Sequence, residues 1–169
     1  MGGKGAANTT TPNIGLDAGS REGTIKILSK LLADEYVLYT KTRNYHWNVT
    51  GARFHQLHEF FKAQYGELDV IVDDVAERIP QLGGRAHATL DMFKKNARIA
   101  EDSNVITDAD RMLSNLLSDH ESVIRSLRAD SETVMEKHGD SGTNNFLVGL
   151  MEQHEKMAWM LRAHIEGGD

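Results

Sequence analysis

The stretch NYHWNVTGARFHQLHEFF, residues 44–61, gathers three imidazoles, His46, His55 and His58, into thirteen residues. A neutral imidazole carries a lone pair suited to transition metals, and the chain has no cysteine, which excludes disulfides, thiolate sites and thiol nucleophiles. Histidine and carboxylate chemistry is what remains. Further along, His58, Lys62, Asp69, Asp73 and Glu77 follow one another at spacings of four, seven, four and four residues. At about 100° per residue these fall within an arc of roughly 100° on one helix. Asp73 and Glu77, at i and i+4, can share one cation, and oxygen with imidazole ligation suits iron or zinc. His58 and Asp73 stand fifteen residues apart, roughly 22 Å at about 1.5 Å per residue. No single ion spans that within one chain. An antiparallel pair of these helices about a two-fold axis brings His58 of one subunit toward Asp73 and Glu77 of the other, twice over. His46 joins His58 if the connection between their helices folds back tightly.

The elements that must position these groups are helices. Ile25, Leu28, Leu31, Leu32, Leu38 and Tyr39 recur at helical spacing from Arg21, and the first helix is expected to run to about Trp47, broken at Gly51. A second, from near Arg53, carries Leu57, Phe61, Gln64, Leu68, Val72, Val75 and Ile79 as one seam and ends at Pro80 and Gly83-Gly84. Residues 84–106 form a crossover too long for a turn, with a short helix around Leu90, Met92 and Phe93 whose apolar side needs a partner. A third helix spans about Asp108 to Lys137, HGDSGTNN breaks the chain, and a fourth runs from about Thr143 to Glu166. The expected fold is all-α: a four-helix bundle of ferritin-like connectivity with a short extra helix in the crossover between the second and third helices. Residues 1–20, rich in Gly, Ala, Asn and Thr, read as a flexible tail, and residues 21–169 as one bundle domain.

A formal charge of -6 disfavours a surface built to hold polyanions. No run of about 18 apolar residues occurs and the N-terminus lacks a signal-peptide pattern, so a cytoplasmic protein with no membrane partner is expected. No Glu-x-x-His motif is present: Met151 precedes His154, His55 precedes His58 and Leu161 precedes His164 by three residues. A metal site inside the bundle is therefore not expected, although Glu35 lies near the apolar stripe of the first helix. His154 reads as a hydrogen-bonded core histidine, and Met151, Met157 and Met160 as core filler. His87, His120 and His138 read as solvated surface.

The segments YHWNVTGARFHQLHEFF and VDDVAERIPQLGG, with HEKMAWM on the last helix, resemble the DNA-binding proteins from starved cells, the Dps family of miniferritins. The resemblance covers nearly the whole chain after the tail. It implies a homododecamer of tetrahedral symmetry that oxidises Fe(II), preferentially with hydrogen peroxide, stores ferric mineral in its cavity and protects the cell from oxidative stress. It also implies inter-subunit ligands His46 and His58 from one chain and Asp73 and Glu77 from its mate, with Trp47 and Trp159 nearby. By the same resemblance Glu136 and Asp140 line a three-fold iron-entry pore. The alternative it implies is a nucleoid-associated protein that binds and protects DNA, with weak or zinc-inhibited ferroxidase activity. Here the tail sets Lys4 and Arg21 against Asp17 and Glu22, so DNA binding is expected to be weak or absent.

One position departs from the family pattern. Lys62 stands where an acid usually follows the second histidine, and a protonated lysine accepts nothing and repels a cation. Either Lys62 turns away to pair with Glu59 or Asp69, with His164 or His55 as an additional ligand, or its ammonium takes the place of a second metal.

Overall fold

The first helix starts earlier than its apolar pattern, because Asp17 caps it. The Asp17 carboxylate accepts the Ser20 backbone N–H at 2.8 Å and the Ser20 hydroxyl at 3.1 Å, satisfying donors that a helix start leaves free. In a computed structural model that describes residues 10–167, the elements are α1 (Ala18–Asn48), α2 (Phe54–Gln81), α3 (Leu90–Asn96), α4 (Ala109–His138) and α5 (Ser141–Glu166), with no strand among the described residues. Of the expected tail, residues 1–9, including Lys4, lie outside the described residues, and 18–20 belong to α1.

Pairs of contacts give the directions of the helices. Tyr39 meets Tyr65 while His46 meets His58, so α1 and α2 run antiparallel. Lys41 bonds Asp119 while Asn115 bonds Tyr45, so α1 and α4 do too. Gln64 reaches the Met157 carbonyl and Arg78 reaches Thr143, which sets α2 against α5. Arg162 with Glu121 and Asn144 with Ser131 do the same for α4 and α5. Each long helix is thus antiparallel to both neighbours, as the long crossover requires. The seams meet inside: Leu28, Leu31, Leu38, Leu57, Phe61, Leu68, Leu113, Leu116 and Leu161 are fully buried, and each contributes about 1.5–3 kcal/mol of burial.

The crossover is tied down by charge as well as by packing. Arg98 donates its backbone N–H and its Nε to the buried Asp34, at 2.5 and 2.7 Å, and its Nη1 to Asp130 at 2.8 Å. Burial raises the Asp34 carboxyl above its ordinary value, and the Arg98 contacts offset this only in part. Phe93 of α3 stacks on Tyr36 at 4.2 Å, giving the short helix its partner, while Leu90 stays exposed. Gly139 closes α4 at φ +62, a left-handed cap conformation that few residues other than glycine adopt without strain.

Candidate metal centre

Gly51, at φ +98, lets the chain reverse between α1 and α2, and the reversal brings the last turn of α1 against the first turns of α2. His46 and His58 stack there, with ring centroids 3.8 Å apart and planes 23° from parallel. Each imidazole is bonded to the other's backbone: His46 Nδ1 to the His58 carbonyl at 2.7 Å, and His58 Nδ1 to the His46 carbonyl at 2.9 Å. A carbonyl only accepts, so both Nδ1 atoms carry the proton. In the neutral rings both Nε2 atoms then hold a lone pair. This is the ligand-ready tautomer, fixed by the kind of backbone hydrogen bond that orients metal-binding histidines. His46 is buried, His58 is half-buried, and Tyr65 packs edge-on to His46 at 5.2 Å.

The other expected residues fall as follows. Asp73 and Glu77 lie exposed on α2 with no ion pair among the described residues. Among the described residues no three His, Asp or Glu side chains converge as a metal-binding group. Lys62 is exposed and pairs with neither Glu59 nor Asp69. His55 is exposed one turn before His58. His164 is half-buried and packs on Phe60 at 4.2 Å. Two residues along a helix is about 200° of rotation, so Phe60 and His164 lie on the α5 side of α2, away from the pair. Burial, and then the charge of Arg53, lowers the His164 imidazole below its ordinary value. Trp47 and Trp159 are more than half exposed. Glu136 is exposed near the end of α4. Asp140 is buried as the cap of α5, where its carboxylate accepts the Thr143 N–H at 2.9 Å and hydroxyl at 2.5 Å and faces Arg78 at 3.5 Å.

A second gathering of imidazole lies inside the bundle, and here the structure corrects the surface reading of His120. That residue has no solvent exposure. It sits three and four residues from Leu117 and Leu116 and four from Ile124, a position on the apolar seam that its polarity disguised. Its Nδ1 meets His154 Nδ1 at 2.9 Å, and His154 Nε2 donates to Glu35 Oε1 at 3.0 Å. All three residues are fully buried. Burial, followed by the charge of His154, pushes the His120 imidazole well below its ordinary value. His154 is, as expected, a hydrogen-bonded core histidine, and Met151 and Met157 are buried in the core. Sequence reasoning also passed over Tyr65 and Arg43, whose places beside His46 depend on pairing across α1 and α2 that no local pattern encodes.

Known proteins resemble this chain over most of its length. The family model described as a ferritin-like domain matches residues 25–168. An uncharacterized low temperature-induced protein of Nostoc sp. is 42% identical over 155 residues, covering 92% of this chain and 87% of the relative. DNA protection during starvation protein 2 of Bacillus anthracis is 36% identical over 141 residues, 83% of this chain and 95% of the relative. Among solved structures, the Dps protein from Vibrio cholerae, described as a member of a broad superfamily of ferritin-like diiron-carboxylate proteins, superposes with a TM-score of 0.86 at 31% identity over 92% of this chain and 97% of its own.

Proposed function

We propose that this chain, which belongs to the Dps family of miniferritins, is a ferroxidase and iron store whose metal sites form between two-fold related subunits of a dodecamer. The observation that carries the reading is the crossed pair His46 and His58, with both Nε2 lone pairs free to bind. Asp73 and Glu77 of the mate supply the oxygens, and Fe(II) is substrate and cargo. The half-site divides the work: the imidazoles fix position through the backbone, and the exposed carboxylates bring the negative charge that draws the cation. Hydrogen peroxide is the proposed oxidant, each Fe(II) giving one of the two electrons that peroxide takes on its way to water. The reaction consumes both reagents that generate hydroxyl radical, and its ferric product moves to the cavity.

Exposed and unpaired, Lys62 favours the reading in which its ammonium stands in for a second metal, so the site takes Fe(II) one ion at a time. His55 is the substitute imidazole on the correct face of α2. His164 contributes only if assembly brings it from another direction. Zn(II) suits the same ligands and competes for them. Glu136 and Asp140 are the proposed entry acids, with Glu136 the one open to solvent. Among the described residues no helix is long and apolar enough to cross a membrane, in keeping with work in the cytoplasm. The DNA-protecting role in the names of relatives is the second reading. The -6 charge opposes it, and a mobility shift that persists at physiological salt would establish it.

The test is the double substitution Asp73→Ala with Glu77→Ala. Stopped-flow oxidation of Fe(II) by peroxide should slow at least about 100-fold, while light scattering still reports the intact shell. Retained fast oxidation in an assembled shell rejects the assignment.

A further inference from the structure

A line of aromatic rings leads away from the histidine pair. Tyr65 lies edge-on to His46 at 5.2 Å, Tyr39 meets Tyr65 at 6.3 Å, Tyr36 meets Tyr39 at 6.0 Å, and Phe93 stacks on Tyr36 at 4.2 Å. The far end opens on a cavity of about 240 Å³ lined by Tyr36, Thr40, Lys41, Leu90 and Phe93. Beside the middle of the line sits Arg43. Its guanidinium carbon is 5.5 Å from the Tyr39 ring centre, 5.2 Å from Trp47 and 5.0 Å from Tyr65. It also donates to the Tyr39 hydroxyl at 2.6 Å. Tyr36 and Tyr39 pack on the edge of the core, and all three tyrosines are half-buried.

We propose that Tyr65, Tyr39 and Tyr36 form an electron relay that supplies the second electron when one Fe(II) meets peroxide. The inference rests on the ferroxidase reading and on the place of Lys62. Peroxide takes two electrons to become water and hydroxide, and a single iron gives one. The balance is Fe(II) + H2O2 + Tyr-OH → Fe(III) + OH⁻ + H2O + Tyr-O•, the Tyr65 phenol giving its hydrogen atom as the O–O bond breaks, so that no hydroxyl radical leaves the site. Electrons then step from Tyr39 to Tyr65 and from Tyr36 to Tyr39, each phenol losing its proton as the next phenoxyl regains one. The Tyr39 hydroxyl accepts from Arg43 and keeps its own proton free to leave. A cation beside a ring opposes loss of an electron from it. Tyr65, Tyr39 and Trp47 all feel Arg43 and Tyr36 does not touch it, so the oxidising equivalent settles on Tyr36. There a small thiol restores the phenol: Tyr-O• + RSH → Tyr-OH + RS•.

The test is freeze-quench electron paramagnetic resonance on the whole assembly, given less Fe(II) than sites and then peroxide. Fe(II) consumption and spin-trapped hydroxyl radical are recorded in parallel. Wild type should show a tyrosyl signal that narrows when the protein carries ring-deuterated tyrosine. Tyr65→Phe, which keeps the ring against His46, should lose most of that signal and raise trapped hydroxyl radical several-fold per iron oxidised. Tyr36→Phe should keep a tyrosyl signal of changed hyperfine shape, now from Tyr39. An unchanged signal and trap yield in Tyr65→Phe overturns the relay and leaves the ferroxidase reading standing. So does a radical that vanishes only in Trp47→Phe. If wild type consumes no Fe(II) with peroxide, the ferroxidase reading falls and the relay falls with it.

Discussion

Two pairs of histidines in this protein use the same side-chain chemistry to opposite ends. His46 and His58 turn their Nδ1 protons onto each other's backbone and leave their Nε2 atoms unspent. His120 and His154 turn Nδ1 onto each other, and His154 spends its Nε2 on Glu35. The first pair stands at a helix junction beside exposed Lys62, the second in a sealed core. Both pairs leave a ring nitrogen over, since His120 Nε2 has no hydrogen-bond partner, so what separates them is burial: the inner spare nitrogen is sealed in the core, while the outer pair stands at a partly open helix junction. The inner chain also shows why the bundle interior is a poor metal site despite a carboxylate and two imidazoles. Glu35 and His120 hold opposite edges of the His154 ring, so no ion can be shared by all three in this arrangement.

Breaking the inner chain should have the largest effect on stability. His154→Leu leaves Glu35 and His120 in the core without their hydrogen-bond partner, and each buried polar group left unsatisfied costs about 1–3 kcal/mol. Denaturant unfolding should show it. Asp73→Ala with Glu77→Ala, at exposed positions, should stay within about 0.5 kcal/mol of wild type.

The inner pair should also make stability depend on pH. The folded His120 imidazole is depressed, so as pH falls past about 6.5 the unfolded chain takes up the proton first. The contribution is whole above that pH and is lost as pH falls toward the folded value, at up to about 1.4 kcal/mol per pH unit. Denaturation midpoints between pH 8 and pH 5 should show the decline, and His120→Leu should flatten it.

The four long helices, their order and the crossover were legible in the sequence, because a 3.6-residue period of large apolar groups and the glycine breaks encode them locally. Outside the core, the candidate ligands could be picked out by type and spacing, but the geometry of the His46 and His58 pair could not. Spacing on α2 shows that His58 and Asp73 share a stripe, yet the backbone bonds that fix both tautomers arise only when Gly51 reverses the chain. His120 misled because a polar residue on an apolar seam has the same spacing whether its partner is water or a histidine on another helix. The resemblance carries Asp140 over as a pore acid, and what no sequence pattern shows is that its carboxylate also caps α5 and faces Arg78.

A smaller change should sharpen the outer half of the comparison. Lys62→Glu restores an acid at the position where the charge opposes a second cation. Fe(II) titration of the anaerobic protein should then double the number of ions bound per subunit, while an unchanged stoichiometry would show that Lys62 does not limit occupancy.

The central claim is that each site is made of imidazoles from one chain and carboxylates from another, and complementation tests it most directly. A subunit with His46→Ala and His58→Ala and a subunit with Asp73→Ala and Glu77→Ala are each expected to be inactive alone. Assembled together, every mixed two-fold pair holds one site with all four native residues, and random mixing should restore about a quarter of the wild-type rate. Mixed shells, verified by mass, that recover no fast Fe(II) oxidation would contradict the account.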